Sequence, residues 1–131
     1  MGVPAAKMGD QVVGLDTHIV MVPSPGGPVP TPLPHPFTGV LNNGLSPNVK
    51  IAGMAAATLG SKAVNTPPHI PSGGGPFQKP PTNIGTIVAG SPTVMINGKP
   101  AARMGDAAAT CNDPFDLPVG KVIAAGTVLI G

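Results

Sequence analysis

The sequence predicts an all-β fold: a small cone or prism of short strands and Pro/Gly-rich loops, with pseudo-threefold symmetry. The expectation rests on three observations. Nineteen glycines and nineteen prolines in 131 residues interrupt nearly every window in which a long helix could form. The chain is nevertheless 41% hydrophobic and only 9% charged, the opposite of a disordered composition, so its apolar residues must be buried or covered. A heptapeptide also recurs along the chain, and internal repeats of this kind decide architecture.

Pro4-Ala5-Ala6-Lys7-Met8-Gly9-Asp10 returns as Pro100-Ala101-Ala102-Arg103-Met104-Gly105-Asp106, identical at six of seven positions with a Lys/Arg exchange at the other. Ala55-Ala56-Ala57-Thr58-Leu59-Gly60-Ser61 is a worn third copy. Strand-like segments accompany the copies: Pro47-Asn48-Val49-Lys50-Ile51-Ala52-Gly53, Pro92-Thr93-Val94-Met95-Ile96-Asn97-Gly98 and Thr127-Val128-Leu129-Ile130-Gly131. Each alternates apolar residues with the period of a half-buried strand and ends at glycine. All three phenylalanines follow proline, in Pro36-Phe37, Pro76-Phe77 and Pro114-Phe115. The unit reads as turn, variable loop, Pro-Phe, strand, glycine turn, strand. It spans 4–53, 54–98 and 99–131 within one domain, 1–131.

One such unit cannot bury a core, whereas three leaning together can. Gly9, Gly60 and Gly105 hold one motif position, where the backbone needs positive φ or close approach. The small alanine pair lets chains crowd near an axis. Lys7 or Arg103 and the aspartate beyond the glycine are placed to pair between adjacent units, which the middle copy cannot do.

The formal charge of +2 comes from seven scattered Lys and Arg, and there is no Tyr or Trp. A phosphate-tracking patch and base-stacking platforms are both missing, which argues against nucleic-acid binding. No signal-peptide pattern opens the chain, and the apolar stretch from Ile51 to Gly60 is too short to span a bilayer. The expectation is a protein made in the cytoplasm and exported by a machine rather than by a cleaved signal.

Four residues are of the types that dominate structural zinc sites: His18, His35, His69 and Cys111. His18 and His69 each lie eight residues after equivalent motif positions, Asp10 and Ser61, and Cys111 lies five after Asp106. Under threefold symmetry the loops after the motifs gather at one end, with His35 as the extra member. One thiolate and three imidazoles make a closed tetrahedral set suited to one structural zinc ion. A catalytic zinc keeps an open position and needs a base. The acids here are Asp10, Asp16, Asp106, Asp113 and Asp116, without any Glu or an HExxH pattern, so the chain is not expected to be an enzyme.

Pro100-Ala101-Ala102-Arg103, within the segment Gly90 to Asp106, resembles the repeat of PAAR-domain proteins, and Pro4 to Asp10 matches again with Lys for Arg. The resemblance implies a cone that caps the trimeric VgrG spike of a type VI secretion system or a related contractile injection machine, one copy per trimer. It implies zinc near the point, held here by His18, His35, His69 and Cys111. It also implies a structural role in membrane puncture, with any effector carried as a separate chain. Docking on a threefold partner is expected through edge strands and apolar residues such as Val49, Ile51, Val94, Ile96, Val128 and Ile130. An effector-loading adaptor without a piercing role and, more remotely, a small zinc hydrolase are the alternatives.

Overall fold

Each heptapeptide folds as a tight turn, and the three turns interlock around one axis. In the computed structural model, which describes residues 2–131, Ala57 N donates to Ala6 O, Ala102 N to Ala57 O and Ala6 N to Ala102 O, each at 3.0 Å. A second ring runs beside the first: Met8 N to Ala55 O at 2.8 Å, Leu59 N to Pro100 O at 2.9 Å and Met104 N to Pro4 O at 2.9 Å. Backbones approach this closely only past small side chains. Ala5, Ala6, Ala56, Ala57, Ala101 and Ala102 fill the axis and are all buried. The glycine beyond each ring has φ of +92° at Gly9, +94° at Gly60 and +88° at Gly105, which an L side chain rarely adopts. That geometry sends the three glycine amides to Leu41 O, Ile87 O and Val122 O.

The charged pairs do not run between units. Lys7 pairs with Asp10 at 3.2 Å and Arg103 with Asp106 at 2.9 Å, each inside its own turn. The aspartate also accepts the backbone amide of residue 7 or 103, at 3.0 and 2.7 Å. Ser61 Oγ does this in the middle copy, accepting from Thr58 N at 2.9 Å. The function common to all three copies is to tie the turn. The charge is an addition in two of them.

Twelve strands and no helix are present among the described residues: β1 (Val3–Pro4), β2 (Gln11–Val22), β3 (Val29–Asn43), β4 (Lys50–Ile51), β5 (Met54–Ala55), β6 (Lys62–Asn65), β7 (Ile84–Ile87), β8 (Met95–Ile96), β9 (Lys99–Pro100), β10 (Ala107–Thr110), β11 (Leu117–Ile123) and β12 (Leu129–Ile130). The segments after the turns, expected as loops, are antiparallel hairpins: β2–β3, β6–β7 and β10–β11. They join in the order β10-β11-β2-β3-β6-β7 into a closed barrel, which leaves no open edge in that sheet. Three two-stranded ribbons, β4–β5, β8–β9 and β1–β12, stand on the other side of the alanine rings. Ala52-Gly53 and Asn97-Gly98 turn the first two with positive φ at both positions, as tight hairpins prefer.

The barrel fills in layers. Val12, Leu41, Ala63, Ile87, Ala108 and Val122, one per strand, form the layer above the alanines. Two residues further along, the three returning strands all carry glycine, at Gly39, Gly85 and Gly120. Phe37, 1% exposed, takes the space beside Gly39 and Gly85, and Thr110 takes that beside Gly120. An added Cβ at Gly39 would sit 2.7 Å from the Phe37 ring. Further up, β3 places prolines at 30, 32, 34 and 36. Alternate residues aim their amides at the same edge, so these prolines remove donors only from the edge facing away from β2.

One sequence expectation is corrected here. The phenylalanines are not equivalent. Phe37 lies four residues before Leu41, Phe77 ten before Ile87 and Phe115 seven before Val122, although those three returning-strand residues are equivalent by hydrogen bonding. Phe37 plugs the axis, Phe77 is half-buried beside the histidines, and Phe115 is exposed. Of the apolar residues named for the base, some belong to the core. Ile51, Ile96 and Ile130 form a second core cluster with Ala5, Ala56 and Ala101, against which Val49 and Val94 pack. In each ribbon it is the residue between the two apolar positions that turns out, Lys50, Met95 or Leu129; Val128 is also exposed. Ile51, Ile96 and Ile130 point inward to cover the alanines.

Candidate metal centre

Beyond the Phe37 layer the inward positions of the barrel become polar. On β2 the buried side alternates through Val12, Asp16, His18 and Val20, so the carboxylate and the imidazole share one face of one strand. Across the ladder Asp16 pairs with His35 on β3. Cys111 is the first residue after β10, and His69 comes from the 66–83 segment between β6 and β7. That segment is pinned at both ends of its path. His69 N donates to Asn83 Oδ1 at 2.8 Å, Met21 N to Pro76 O at 2.8 Å and Gln78 N to Ile19 O at 2.8 Å. The segment after Cys111 is held to β2 by Thr17 N to Asn112 Oδ1 at 2.7 Å and Ile19 N to Asp113 Oδ2 at 2.9 Å. Eight residues of chain from Asp10 to His18, a path of at most about 26 Å at about 3.3 Å each, carry this cluster away from the turns.

The structure brings all four expected residues to one place. The three imidazoles lie with centroids 4.9 to 5.7 Å apart. They are not equal partners, however. One donor atom each from Asp16, His18, His69 and Cys111 lies within 4.8 Å of every other. His35 stands just outside this set. Its Nδ1 meets Leu33 O at 3.0 Å and its Nε2 meets Ser72 N at 3.3 Å. Asp16 was not singled out in the sequence. The signal that finds it is its place two residues before His18 in a strand, on the same face.

The chemistry of the cluster fits a metal. His18 is 1% exposed, and its Nδ1 has no hydrogen-bond partner; the nearest carboxylate, Asp113 Oδ1, is 3.6 Å away. Burial, with His69 close by, pushes its pKa below the ordinary 6.5, so the ring is neutral and keeps a lone pair. Cys111 Sγ lies 3.7 Å from His18 Nε2, near the edge of about 3.6 Å that a tetrahedral zinc with one sulfur and one nitrogen ligand requires. Burial first, and Asp16 next, push the Cys111 thiol up to about 11. A buried thiol at such a value stays protonated until a cation takes its place. Phe37, 6.0 Å from the His69 ring, forms the floor. A cleft of about 290 Å³ lined by Pro36, Thr66, Pro67, Pro68 and Ile70 opens onto His35 and His69.

These features define a class of protein: a single-chain all-β barrel, threefold in its backbone hydrogen bonds at the alanine rings and carrying a thiol–imidazole–carboxylate cluster beyond the Phe37 layer. The PAAR motif family matches over residues 21–114 and again over 77–131, and the chain belongs to that family. Membership makes it a spike-tip-associated protein of the type VI secretion kind. No curated protein matches the chain.

Proposed function

We propose that the chain is a structural cap, seated as one copy on a trimeric VgrG-like spike and sharpening it for membrane puncture. The observation that carries this is the pair of three-membered backbone rings through Ala6, Ala57 and Ala102 and their neighbours, which give a monomer three near-equal faces around one axis. A threefold partner can make similar contacts to all three at once. The ribbons β4–β5, β8–β9 and β1–β12 offer two-stranded edges for strand addition. Met95, Val128 and Leu129, 58%, 42% and 57% exposed, offer apolar surface beside them that solvent does not favour. His18, His35, His69 and Cys111, gathered at the opposite end, supply the donors of one structural zinc ion, where a metal replaces the large core that so few aromatics cannot build. The protein is made in the cytoplasm and leaves with the spike; an effector, where one travels, is a separate chain on the same cone.

Native mass spectrometry of the cap co-expressed with its spike tests the proposal. One cap per three spike chains is the expected stoichiometry. Three caps per trimer, or a complex abolished by surface changes at the metal end but not at the ribbons, would refute it.

A further inference from the structure

Asp113 is fixed to β2 at two points. Its backbone amide donates to Thr17 O at 2.8 Å, and its Oδ2 accepts from Ile19 N at 2.9 Å. Thr17 and Ile19 straddle His18, so the carboxylate is held against the residue between them. The Asp113 side chain is 5% exposed, and a buried carboxylate is costly unless both oxygens find donors. Oδ1, the oxygen that Ile19 does not use, lies 3.6 Å from His18 Nδ1. That nitrogen is in turn the one buried side-chain N or O among the described residues without a hydrogen-bond partner. The two nitrogens of an imidazole point apart, and the other, Nε2, lies 3.7 Å from Cys111 Sγ. One nitrogen of His18 is thus aimed into the cluster and the other at an anchored carboxylate.

We infer that Asp113 is the positioning residue of the metal centre: its Oδ1 accepts Nδ1–H of His18 and so keeps the Nε2 lone pair free for the ion. The inference rests on the metal reading given above and leaves its donors unchanged. A ligating imidazole needs its second nitrogen held, because that contact sets both the tautomer and the plane of the ring. The 3.6 Å gap is a few tenths of an ångström beyond hydrogen-bond reach, and it closes as the ring is drawn into register with the ion. A carboxylate acceptor also raises the basicity of Nε2. Asp16, the other carboxylate at the cluster, does not serve His18 in this way; its Oδ2 is directed at His69 Nε2, 2.8 Å away. The segment itself favours the assignment. Asn112 and Asp113, directly after Cys111, tie to Thr17 N and Ile19 N, so the same two residues set the Cys111 donor against the His18 donor.

Chelator competition for zinc on the parent, Asp113→Asn and Asp116→Asn, with proton–nitrogen correlation spectra of the zinc-loaded histidines, tests the inference. In Asp113→Asn the amide oxygen can still accept from Ile19 N, but the amide nitrogen then meets Nδ1 and cannot accept its proton. Zinc affinity should fall by at least about tenfold. Asp116→Asn removes the same charge from an exposed neighbour and should leave affinity unchanged. In the parent spectrum His18 should bind zinc through Nε2 and carry on Nδ1 a proton that exchanges slowly with water; in Asp113→Asn that proton should exchange faster. Melting in excess zinc checks that the variants fold. If Asp113→Asn does not, the tautomer of His18 in the parent still decides. His18 bound through Nδ1, an Asp113→Asn protein that holds zinc as tightly as the parent, or an equal loss in Asp116→Asn overturns the inference and leaves the metal reading standing. A parent protein that takes up no zinc overturns both.

Discussion

Phe37 and Gly39 form a pair whose energetics follow from one contact. The Phe37 ring packs against the glycines of two returning strands, Gly39 and Gly85, and it is the floor beneath His69. Truncation to alanine removes a fully buried aromatic from a site the alanine rings keep from collapsing, a loss of about 3–5 kcal/mol. An unfolding entropy of about 2.1 cal/mol/K per residue gives about 0.28 kcal/mol/K for this chain, so Phe37→Ala should lower Tm by about 11–18 °C. Gly39→Ala places a Cβ 2.7 Å from Phe37 Cε1 and 2.9 Å from Ala63 Cβ. Overpacking of that kind costs about 1–3 kcal/mol. In the double variant the closer clash is gone, so Gly39→Ala should cost much less in the Phe37→Ala background, a coupling that a double-mutant cycle measures. Thermal melts of the four proteins, in zinc and in chelator, give the cycle. A Phe37→Ala loss below about 1 kcal/mol, or a Gly39→Ala cost unchanged by the presence of Phe37, would show that the ring does not plug a glycine layer.

Aspartate at Ile51, Ile96 or Ile130 should unfold or strongly destabilise the protein, because it buries a charge in the second core cluster. Aspartate at Met95 or Leu129 should leave Tm within a few degrees and abolish co-purification with the spike, since both side chains are already in solvent. Ser61→Ala should cost about 1–3 kcal/mol by orphaning the Thr58 amide in a buried turn, whereas Lys7→Met should cost less than about 1 kcal/mol because its ion pair is partly in water. In chelator, Cys111 should resist alkylation at pH 8 in the folded protein and react in denaturant. Its raised value also sets a sign: stability without metal holds below pH 9, where the thiol is protonated in both states. It falls as pH rises from 9 through about 11, as the unfolded chain ionises first. A thiol that reacts readily in the folded protein at pH 8 contradicts that placement.

The repeat was legible because it is a backbone device. The Ala-Ala pair and the glycine are demanded by close approach and positive φ in every copy, and those demands leave residue identities behind. The hairpins were harder to see, because β3 carries proline at every second position and such runs read as loop until the partner strand shows which edge lacks donors. The Pro-Phe marker failed for a related reason. Adjacency to proline says nothing about distance from the turn, and the hairpin arms differ in length. The ribbon isoleucines were visible as apolar but not as inward, although Val-x-Ile with Lys, Met or Leu at x already holds the answer: the position that tolerates lysine is the one in water. Of the candidate metal cluster, residue type and repeat position point to His18, His69 and Cys111, with His35 as the extra member. Asp16 needed the strand, since only the two-residue period puts it on the face of His18.

The two ends of the cone obey different symmetry, and the single chain explains why. Three identical subunits would place three identical donors on the axis, so a site with one thiolate and unlike partners cannot lie there without breaking the symmetry. Here the copies are covalently joined and free to diverge. At the turns they have not: equivalent backbone atoms close two rings with distances equal to within 0.1 Å in each. Past the glycine layer they have. One hairpin runs as strands of 12 and 15 residues, the second carries the 66–83 segment that brings His69 back, and the third ends β10 just before Cys111. The same joining places a near-symmetric face where a threefold partner is proposed to bind and an asymmetric candidate metal cluster where imidazoles and a single thiol meet. Substitutions that restore symmetry at the narrow end should therefore cost metal, and substitutions that break it at the alanine rings should cost the fold.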